Sequence, residues 1–597
     1  MKEIGTPSTI SEYFSVYKAT QKNGLMGAEK FKYVKIAYLC SFTANGIKEV
    51  LSVKCSQSGI NAGLFIAPYN QHMQQILDKG SALYDFDPDI VIVFIDKKNL
   101  FGQDYYSYGC LSQEERKAMI QGFSAQLSNI AKILKDNTRA TIIFHNLEVP
   151  VCSSLGILEN KIPLGIIESV RMLNNLLSES FRHDPRIFLF DYDAFASKHG
   201  KSNICDAKMY YLADMNLHLN YIIPLCDSYL SYIKPILGIS KKCLVLDLDN
   251  TLWGGVLGED GLEGIRLGPT TQGRPFLDFQ RYILSLHQRG VILAVNSSNN
   301  FSEAREVFRK HPFMVLKEEH FSCLKINWEN KAANMKAIAE ELGVGTDSMV
   351  FIDDDKLNRE IVRKSMPEVS VVDLPDDPAF FLQAVSEIGD FNTLQLTGED
   401  RKKGRMYTEQ KMRKEFSDSV SDITDYLEGL NMVVTIERAQ DSNIPRIAQL
   451  TQKTNQFNMT TRRYQEADIR GFATDGSFLV LAVDVKDKFG DNGITGVVIV
   501  KKESGSWKLD TFLLSCRVIG RRVEQAMLGY VLKKLKEAKI KTLTAEFIHT
   551  AKNIPAINFY KENGFKFIKD EGNKQLWHYD FKEGYSYPEF IRVIEKG

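Results

Sequence analysis

The stretch Lys242-Cys-Leu-Val-Leu-Asp-Leu-Asp-Asn-Thr-Leu-Trp-Gly-Gly255 constrains the chain more than any other. Cys243 to Leu246, with Leu248 beyond, form the continuous apolar run of a strand buried on both faces. The run delivers Asp247 and Asp249 to the carboxyl end of that strand, where α/β sheets keep their ligands. Two acids held there repel each other and lose hydration unless a cation or a reaction uses them. The pattern calls for a parallel α/β sheet and predicts a catalytic metal site at its edge.

Composition narrows the class further. With 44% hydrophobic and 25% charged residues, the 597-residue chain has the make-up of an ordinary multidomain globular protein. A formal net charge of zero gives no electrostatic case for nucleic acid or an anionic membrane. The nine cysteines never form C-x-x-C, and their odd number fits a reducing compartment better than a disulfide scaffold. No apolar run approaches the roughly 18 residues of a membrane span, and the polar start lacks a signal-peptide core. The expectation is a cytoplasmic protein.

Four regions follow from the chain read in order: 1–240, 241–392, a charged helical linker 393–430 running through Arg405 to Phe416, and 431–597. In the first, strands are expected at Tyr33–Cys40, Ile90–Ile95, Ala140–Phe144 and Ile187–Asp191. Amphipathic stretches at Glu114–Leu134 and Leu164–Phe181 alternate with them. That alternation predicts a three-layer, flavodoxin-like fold with a parallel sheet. Ser41 just after the first strand, with Asp214-Met-Asn-Leu-His218 late in the region, resembles the SGNH hydrolases. The resemblance implies a hydrolytic site of Ser41, Asp214 and His218, whereas a serine in such a loop ordinarily caps a helix.

In the second region, the strand Val291–Val295 runs into Asn296-Ser-Ser-Asn-Asn300, and a helix Ser302–Lys310 is expected with Ser302 as its N-cap. A helix Lys331–Leu342 and a strand Ser348–Ile352 lead to Asp353-Asp-Asp355. The order D-x-D-x-T, serine, lysine, acidic pair resembles the haloacid dehalogenase (HAD) superfamily. The resemblance implies Asp247 as the nucleophile on phosphorus and Asp249 as general acid/base, with Ser297 and Lys331 on the phosphoryl oxygens. It also implies Mg²⁺ held by Asp247, the main-chain carbonyl of Asp249, Asp353 and Asp354. A hard cation takes oxygen ligands, and phosphoryl transfer is mostly positioning and charge neutralisation. Asn250, Thr251, Trp253 and Asn299 are candidate substrate-binding residues. The gaps from Asp249 to Ser297 and from Ser297 to Lys331 are too short for a sizeable cap domain, so the site should stay open.

The last region is a further α/β unit. Strands are expected at Met432–Glu437, Ser477–Val483, Thr495–Lys501, Trp507–Ser515, Thr542–Phe547 and Leu576–Phe581, with a helix Val523–Glu537. Asn553-Ile-Pro-Ala-Ile-Asn-Phe-Tyr-Lys-Glu-Asn-Gly-Phe565 resembles the GNAT acyltransferases, as does a strand running into Arg517-Val-Ile-Gly520 before a helix. Arg522 stands where that family has a small residue in its pyrophosphate loop. Arg517, Arg521 and Arg522 suit instead a phosphate on a tethered pantetheine arm. These arginines and the helix N-terminus also favour the thiolate of Cys516, a candidate acyl carrier. Asn455 and Asn553 are further candidates for substrate binding, and His549 and Lys552 are polar neighbours.

Asn327-Trp-Glu-Asn-Lys331, Thr454-Asn-Gln-Phe-Asn-Met-Thr-Thr-Arg-Arg-Tyr464 and Leu514-Ser-Cys-Arg-Val-Ile-Gly-Arg521 join the opening stretch as longer strings. Together they resemble the FkbH-like proteins, which fuse a HAD domain of subfamily IIIC to a GNAT-like domain. That family takes a glyceryl unit from the acyl phosphate 1,3-bisphosphoglycerate and loads it on an acyl carrier protein. The resemblance implies Mg²⁺, a small phosphorylated acyl substrate, a carrier protein's phosphopantetheine as acceptor, and Cys516 as the transit residue. Asp353-Asp-Asp-Lys356 departs from the family's usual D-D-N-P, and Asn296 replaces a frequent cysteine. Two alternatives stay open: a stand-alone phosphomonoesterase with the GNAT-like domain as specificity module, and a non-catalytic scaffold that binds carrier proteins.

Overall fold

In a computed structural model the described residues are 7–23, 31–395, 413, 416–417, 419–420, 422–503, 506–581, 585 and 587–596. The chain divides into two compact units, Met1–Leu237 and Gly238–Gly597. Each is mixed α/β. Among the described residues no helix is long and apolar enough to cross a membrane.

The first unit holds five parallel strands: β1 (Lys32–Cys40), β2 (Ile60–Ile66), β3 (Ile90–Phe94), β4 (Thr141–His145) and β5 (Ile187–Phe190). Their order is β2-β1-β3-β4-β5. All five residues of β3 and of β4 are buried, as continuous apolar runs covered on both faces must be. The helix Gln113–Asn137 starts at a capping box of Ser112 and Glu115, and Ile166–Phe181 packs beside it. Strand β2 was not expected. Its Asn-Ala-Gly interior has little β-propensity, and it takes its extended form by pairing with β1 from Lys32↔Ile60 to Tyr38↔Ile66.

The second unit begins with another parallel sheet: β6 (Cys243–Leu246), β7 (Ile292–Ser297), β8 (Phe321–Ile326), β9 (Met349–Asp353) and β10 (Ser370–Asp373). Alternate residues of β6 feed two cores: Cys243 and Val245 pack with Met335, Ile338 and Phe351, while Leu244 and Leu246 pack with Trp253, Phe279 and Phe308. The strand order β10-β9-β6-β7-β8 reverses between β6 and β9. A crevice opens at such a reversal, beyond the strands' carboxyl ends. Between β6 and β7 lie only the helices Leu257–Gly264 and Arg274–Gln288, and between β7 and β8 only Phe301–Lys310 and a short turn, Glu318–His320. The helix after β7 begins at Phe301 with Asn300 in the cap position and no side-chain cap bond, so Ser302 lies inside its first turn rather than capping it.

A nine-stranded mixed sheet completes the unit, in the order β17-β18-β16-β15-β14-β13-β11-β19 with β12 paired to β15. The strands are β11 (Val433–Arg438), β12 (Phe457–Asn458), β13 (Phe478–Asp487), β14 (Gly490–Glu503), β15 (Ser506–Leu514), β16 (Thr542–Ile548), β17 (Lys566–Asp570), β18 (Lys574–Asp580) and β19 (Arg592–Lys596). Parallel neighbours β15 and β16 pair from Trp507↔Leu543 to Leu509↔Ala545 and then diverge. The opening is bridged by the chain itself. Phe457 and Asn458 pair with Leu514 and Leu513, Met459 N–H donates to Phe512 O, and Ile548 N–H donates to Met459 O. Most of the expected linker, including Arg405 to Met412, lies outside the described residues, and its described helix is Ile423–Gly429.

Candidate active site

Asp247 follows β6 and Asp353 ends β9, so the strand-order reversal brings them together, 106 residues apart in sequence. One carboxylate oxygen from each of Asp247, Asp353 and Asp354 lies within 4.8 Å of the others. Lys331, the first residue of its helix, reaches between them, 2.6 Å from Asp247 Oδ1 and 3.1 Å from Asp353 Oδ2. Three carboxylates against one ammonium leave two negative charges uncompensated, the charge of one divalent cation. The electrostatics report the same deficit. Burial, then the charge of Asp247, pushes Asp353 up to about 6. Burial and the charges of Asp247 and Asp353 push Asp354 up to about 7. Burial also raises Asp247 against the pull of Lys331. Lys331 is itself opposed by burial, yet the two carboxylates hold its pKa above the usual lysine value.

The acidic loop is braced from behind. Arg359 is 3% exposed, and its NH1 donates to the main-chain oxygens of Asp353 and Asp354 at 2.7 Å each. Asn358 and the Asp355 N–H donate to the Asp353 carboxylate. Thr251 Oγ1 lies 3.4 Å from Asp354 Oδ1.

Asp249 is held apart from the acid cluster. Trp253 Nε1–H donates to its Oδ1 at 2.9 Å, Leu257 N–H to the same oxygen at 3.2 Å, and Asn299 Nδ2 to Oδ2 at 2.9 Å. Asn299 also lies 3.4 Å from Ser297 Oγ, which ties the acid to the serine loop. Trp253 is fully buried, so the expectation that it touches substrate is corrected: its indole orients Asp249. Asn250 adopts a left-handed conformation (φ 49°) and accepts from Gly255 N–H, which makes it the turn residue after the strand. The glycine-rich stretch after the strand carries a helix, Leu257–Gly264, with non-helical backbone at Gly261 and Leu257 as its buried residue.

In the mixed-sheet domain, Cys516 is half-buried and opens a turn Cys516–Val518 directly after β15. Arg521 is committed elsewhere: it is buried and donates to Asp487 Oδ2 and to Arg517 O, which removes it from the phosphate-binding set. Arg517 Nε–H donates to Ser515 Oγ at 3.4 Å. Exposed Arg522, at φ 62°, occupies the N-cap position of the helix Val523–Glu537 without a side-chain cap bond. Asn455 Oδ1 accepts from Arg463. Asn553 is completely buried and donates to the main-chain oxygens of Asn458 and Ile548 while accepting from Thr550 N–H, so it locks the β12 bridge and has no face for substrate. Lys552 pairs with Asp347 in the turn before β9, and exposed His549 makes a main-chain bond to Asn573.

In the first unit, Ser41 lies at the reversal between β1 and β3, where its Oγ accepts the Asp96 N–H at 2.8 Å. Asp214 accepts from Tyr69 OH, and His218 Nδ1 accepts from Asn220 N–H. Among the described residues no hydrogen bond joins Ser41, Asp214 and His218 into a catalytic relay. Asp96, raised by burial, stands at this edge and caps the helix Lys97–Phe101 through the N–H groups of Lys98 and Asn99. Sequence reasoning missed it, as it missed Arg359, and it gave Trp253 and Asn299 a substrate-binding role where the structure makes them donors to Asp249.

Residues 35–233 match the family described as FkbH, N-terminal domain. The chain is 29% identical to the N-terminal part of the protein BF1531 from Bacteroides fragilis, whose crystal structure is described as containing a phosphatase domain complexed with Mg. The match covers 65% of this chain and 99% of that chain, with a TM-score of 0.58. Other matches cover 25% of this chain, among them the two that follow. The ribosomal-protein-S18-alanine N-acetyltransferase from Escherichia coli has 14% identity, 96% of its chain and a TM-score of 0.20. A GNAT-family acetyltransferase from Staphylococcus aureus Mu50 has 13% identity, 99% of its chain and a TM-score of 0.21. No curated protein matches the chain.

Proposed function

We propose that this FkbH-like chain is a Mg²⁺-dependent phosphatase that works through an aspartyl nucleophile, and that it couples phosphate removal to acyl transfer onto a carrier protein's phosphopantetheine thiol. The observation that carries the first half is the cluster of Asp247, Asp353 and Asp354 with its deficit of two positive charges. The donor set fits a hard divalent cation: carboxylate oxygens only, brought together where the sheet order reverses. Asp247, Asp353 and Asp354 would hold the ion, which supplies charge neutralisation at the transferring phosphoryl group.

The remaining roles fall to the chain. Asp247 attacks phosphorus and displaces the leaving oxygen. Asp249 gives that oxygen its proton, then takes one from the water that cleaves the aspartyl phosphate. Its three donors keep it aimed while it does so. Ser297 and Lys331 hold the phosphoryl oxygens. In the acyl half, the Cys516 thiolate attacks the acyl carbon of an acyl phosphate and releases inorganic phosphate. The carrier thiol then takes the acyl group and returns the Cys516 thiol. Support for this half is the resemblance of the strings around Cys516 and the thiol's half-exposed place at the end of β15. The protein would act in the cytoplasm.

The test is to incubate the protein with Mg²⁺, 1,3-bisphosphoglycerate and a holo carrier protein and to record phosphate release and intact masses. The expected result is an acyl adduct on the carrier, lost in Cys516→Ala, and phosphatase activity lost in Asp247→Asn. Phosphate release that survives Cys516→Ala, with no adduct at any time, leaves a plain phosphomonoesterase. Absence of Mg²⁺-dependent turnover on any phosphate substrate leaves a binding scaffold.

A further inference from the structure

Lys331 is gripped at both ends by a single residue. Its ammonium donates to the main-chain oxygen of Asn296 at 2.7 Å, besides its contacts with Asp247 and Asp353. The side chain of the same Asn296 donates through Nδ2 to the main-chain oxygen of Lys331 at 2.9 Å. Asn296 is in β7, so the strand fixes both the tip and the root of the lysine.

Asn296 is held in turn. Asn334, in the first turn of the Lys331 helix, donates through Nδ2 to Asn296 Oδ1 at 3.1 Å and to Asn327 Oδ1 at 2.9 Å. Asn327 Nδ2 lies 3.3 Å from Asn334 Oδ1, and the Asn327 N–H donates to Ser297 O at 3.1 Å. The three amides thus close a network linking the end of β7, the loop after β8 and the start of the helix. Asn296 is 0% exposed and Asn334 1%. Buried amides are tolerated only when paired, and apolar residues fill such space without that demand. Here the amides are spent on one another, on the backbone beside Ser297 and on Lys331. None of them bonds to Asp247, Asp353 or Asp354.

We propose that Asn296 and Asn334 are positioning residues whose network sets where the Lys331 ammonium sits, and that they act on turnover only through Lys331. The inference rests on the phosphatase reading, yet it can be tested apart from it. The activity arm measures Mg²⁺-dependent hydrolysis of p-nitrophenyl phosphate by wild type, Asn334→Ala, Asn334→Asp, Lys331→Met and Lys331→Met/Asn334→Ala. Small displacements of a catalytic group cost on the order of 100-fold, so kcat should fall roughly 10- to 100-fold in both Asn334 variants with KM changed less than about 2-fold. In the Lys331→Met background the Asn334 change should add nothing. Asn334→Asp keeps the side-chain shape if the alanine variant folds poorly.

The second arm labels lysines with acetic anhydride and follows the Lys331 peptide by mass spectrometry, which needs no turnover. Labelling of Lys331 should rise several-fold in the Asn334 variants relative to exposed lysines. If wild type hydrolyses no phosphate ester but the labelling rises, the phosphatase reading falls and the positioning role stands. Unchanged labelling overturns the positioning role. So does a loss of kcat that multiplies with that of Lys331→Met.

Discussion

At the scale of single residues, the site separates acids by the company they keep. Asp247, Asp353 and Asp354 face one another and lack positive charge, whereas Asp249 is surrounded by neutral donors. Replacing Trp253 by phenylalanine keeps most of the buried ring and deletes one of those donors. It should lower kcat about 10-fold, since general acid–base catalysis contributes about 100-fold or more and the acid loses aim rather than existence. Stopped-flow hydrolysis with a melting curve on the same sample separates this from unfolding. The acids also give the metal-free protein a pH signature. Asp353 and Asp354 have folded values of about 6 and about 7 against 3.8 for the free side chain, so the folded state binds protons more tightly than the unfolded one. Their stabilising contribution is complete below about pH 4 and is lost as pH rises through about 7. In EDTA the melting temperature should therefore fall across that window, and Mg²⁺ should restore most of it above pH 7. Asp247 was legible because a carboxylate beside an apolar run is too costly to be accidental. Asn334 was not, because an asparagine inside a helix reads as a surface residue until its burial is known.

At the scale of elements, strands flanked by helices and written as continuous, mostly apolar runs were legible, among them β3, β4, β6 and β9. The helix Lys331–Leu342 has the bounds its pattern predicts. Strands β2, β8, β10, β12, β17 and β19 lie outside the stretches the sequence marks as strands, and three of them show how neighbours shape a strand. Strand β2 copies β1, β10 is four residues leaning on β9, and β12 is two residues wedged beside β15. Propensity over so few residues is weak, and pairing decides. The β12 bridge depends on Asn553, whose buried amide makes two donor bonds and one acceptor bond. Asn553→Ala leaves three main-chain groups without a partner. At about 1–3 kcal/mol per buried unsatisfied group, and with partial relaxation, it should destabilise this domain by about 3 kcal/mol. Urea denaturation followed by the fluorescence of Trp577, which packs in the same core, measures that loss. A change under about 1 kcal/mol would mean that the bridge stands without its amide lock.

At the scale of the molecule, five-stranded parallel sheets occur in both units, and each places polar groups at its reversal: Ser41 and Asp96 in one, the acid cluster in the other. The phosphatase-type domain carries no inserted cap between β6 and β8 among its described residues. A covered enzyme chooses who reaches its covalent intermediate, whereas an uncovered one shares it with the solvent. An aspartyl phosphate on Asp247 would then partition among whatever hydroxyl compounds surround it. With glycerol added at molar concentration, part of the phosphate should leave as glycerol phosphate, in proportion to glycerol over water, while total turnover changes little. ³¹P NMR of the products measures that partition ratio. A ratio of zero at all glycerol concentrations would mean that the site shuts water in and other alcohols out by some means other than a cap.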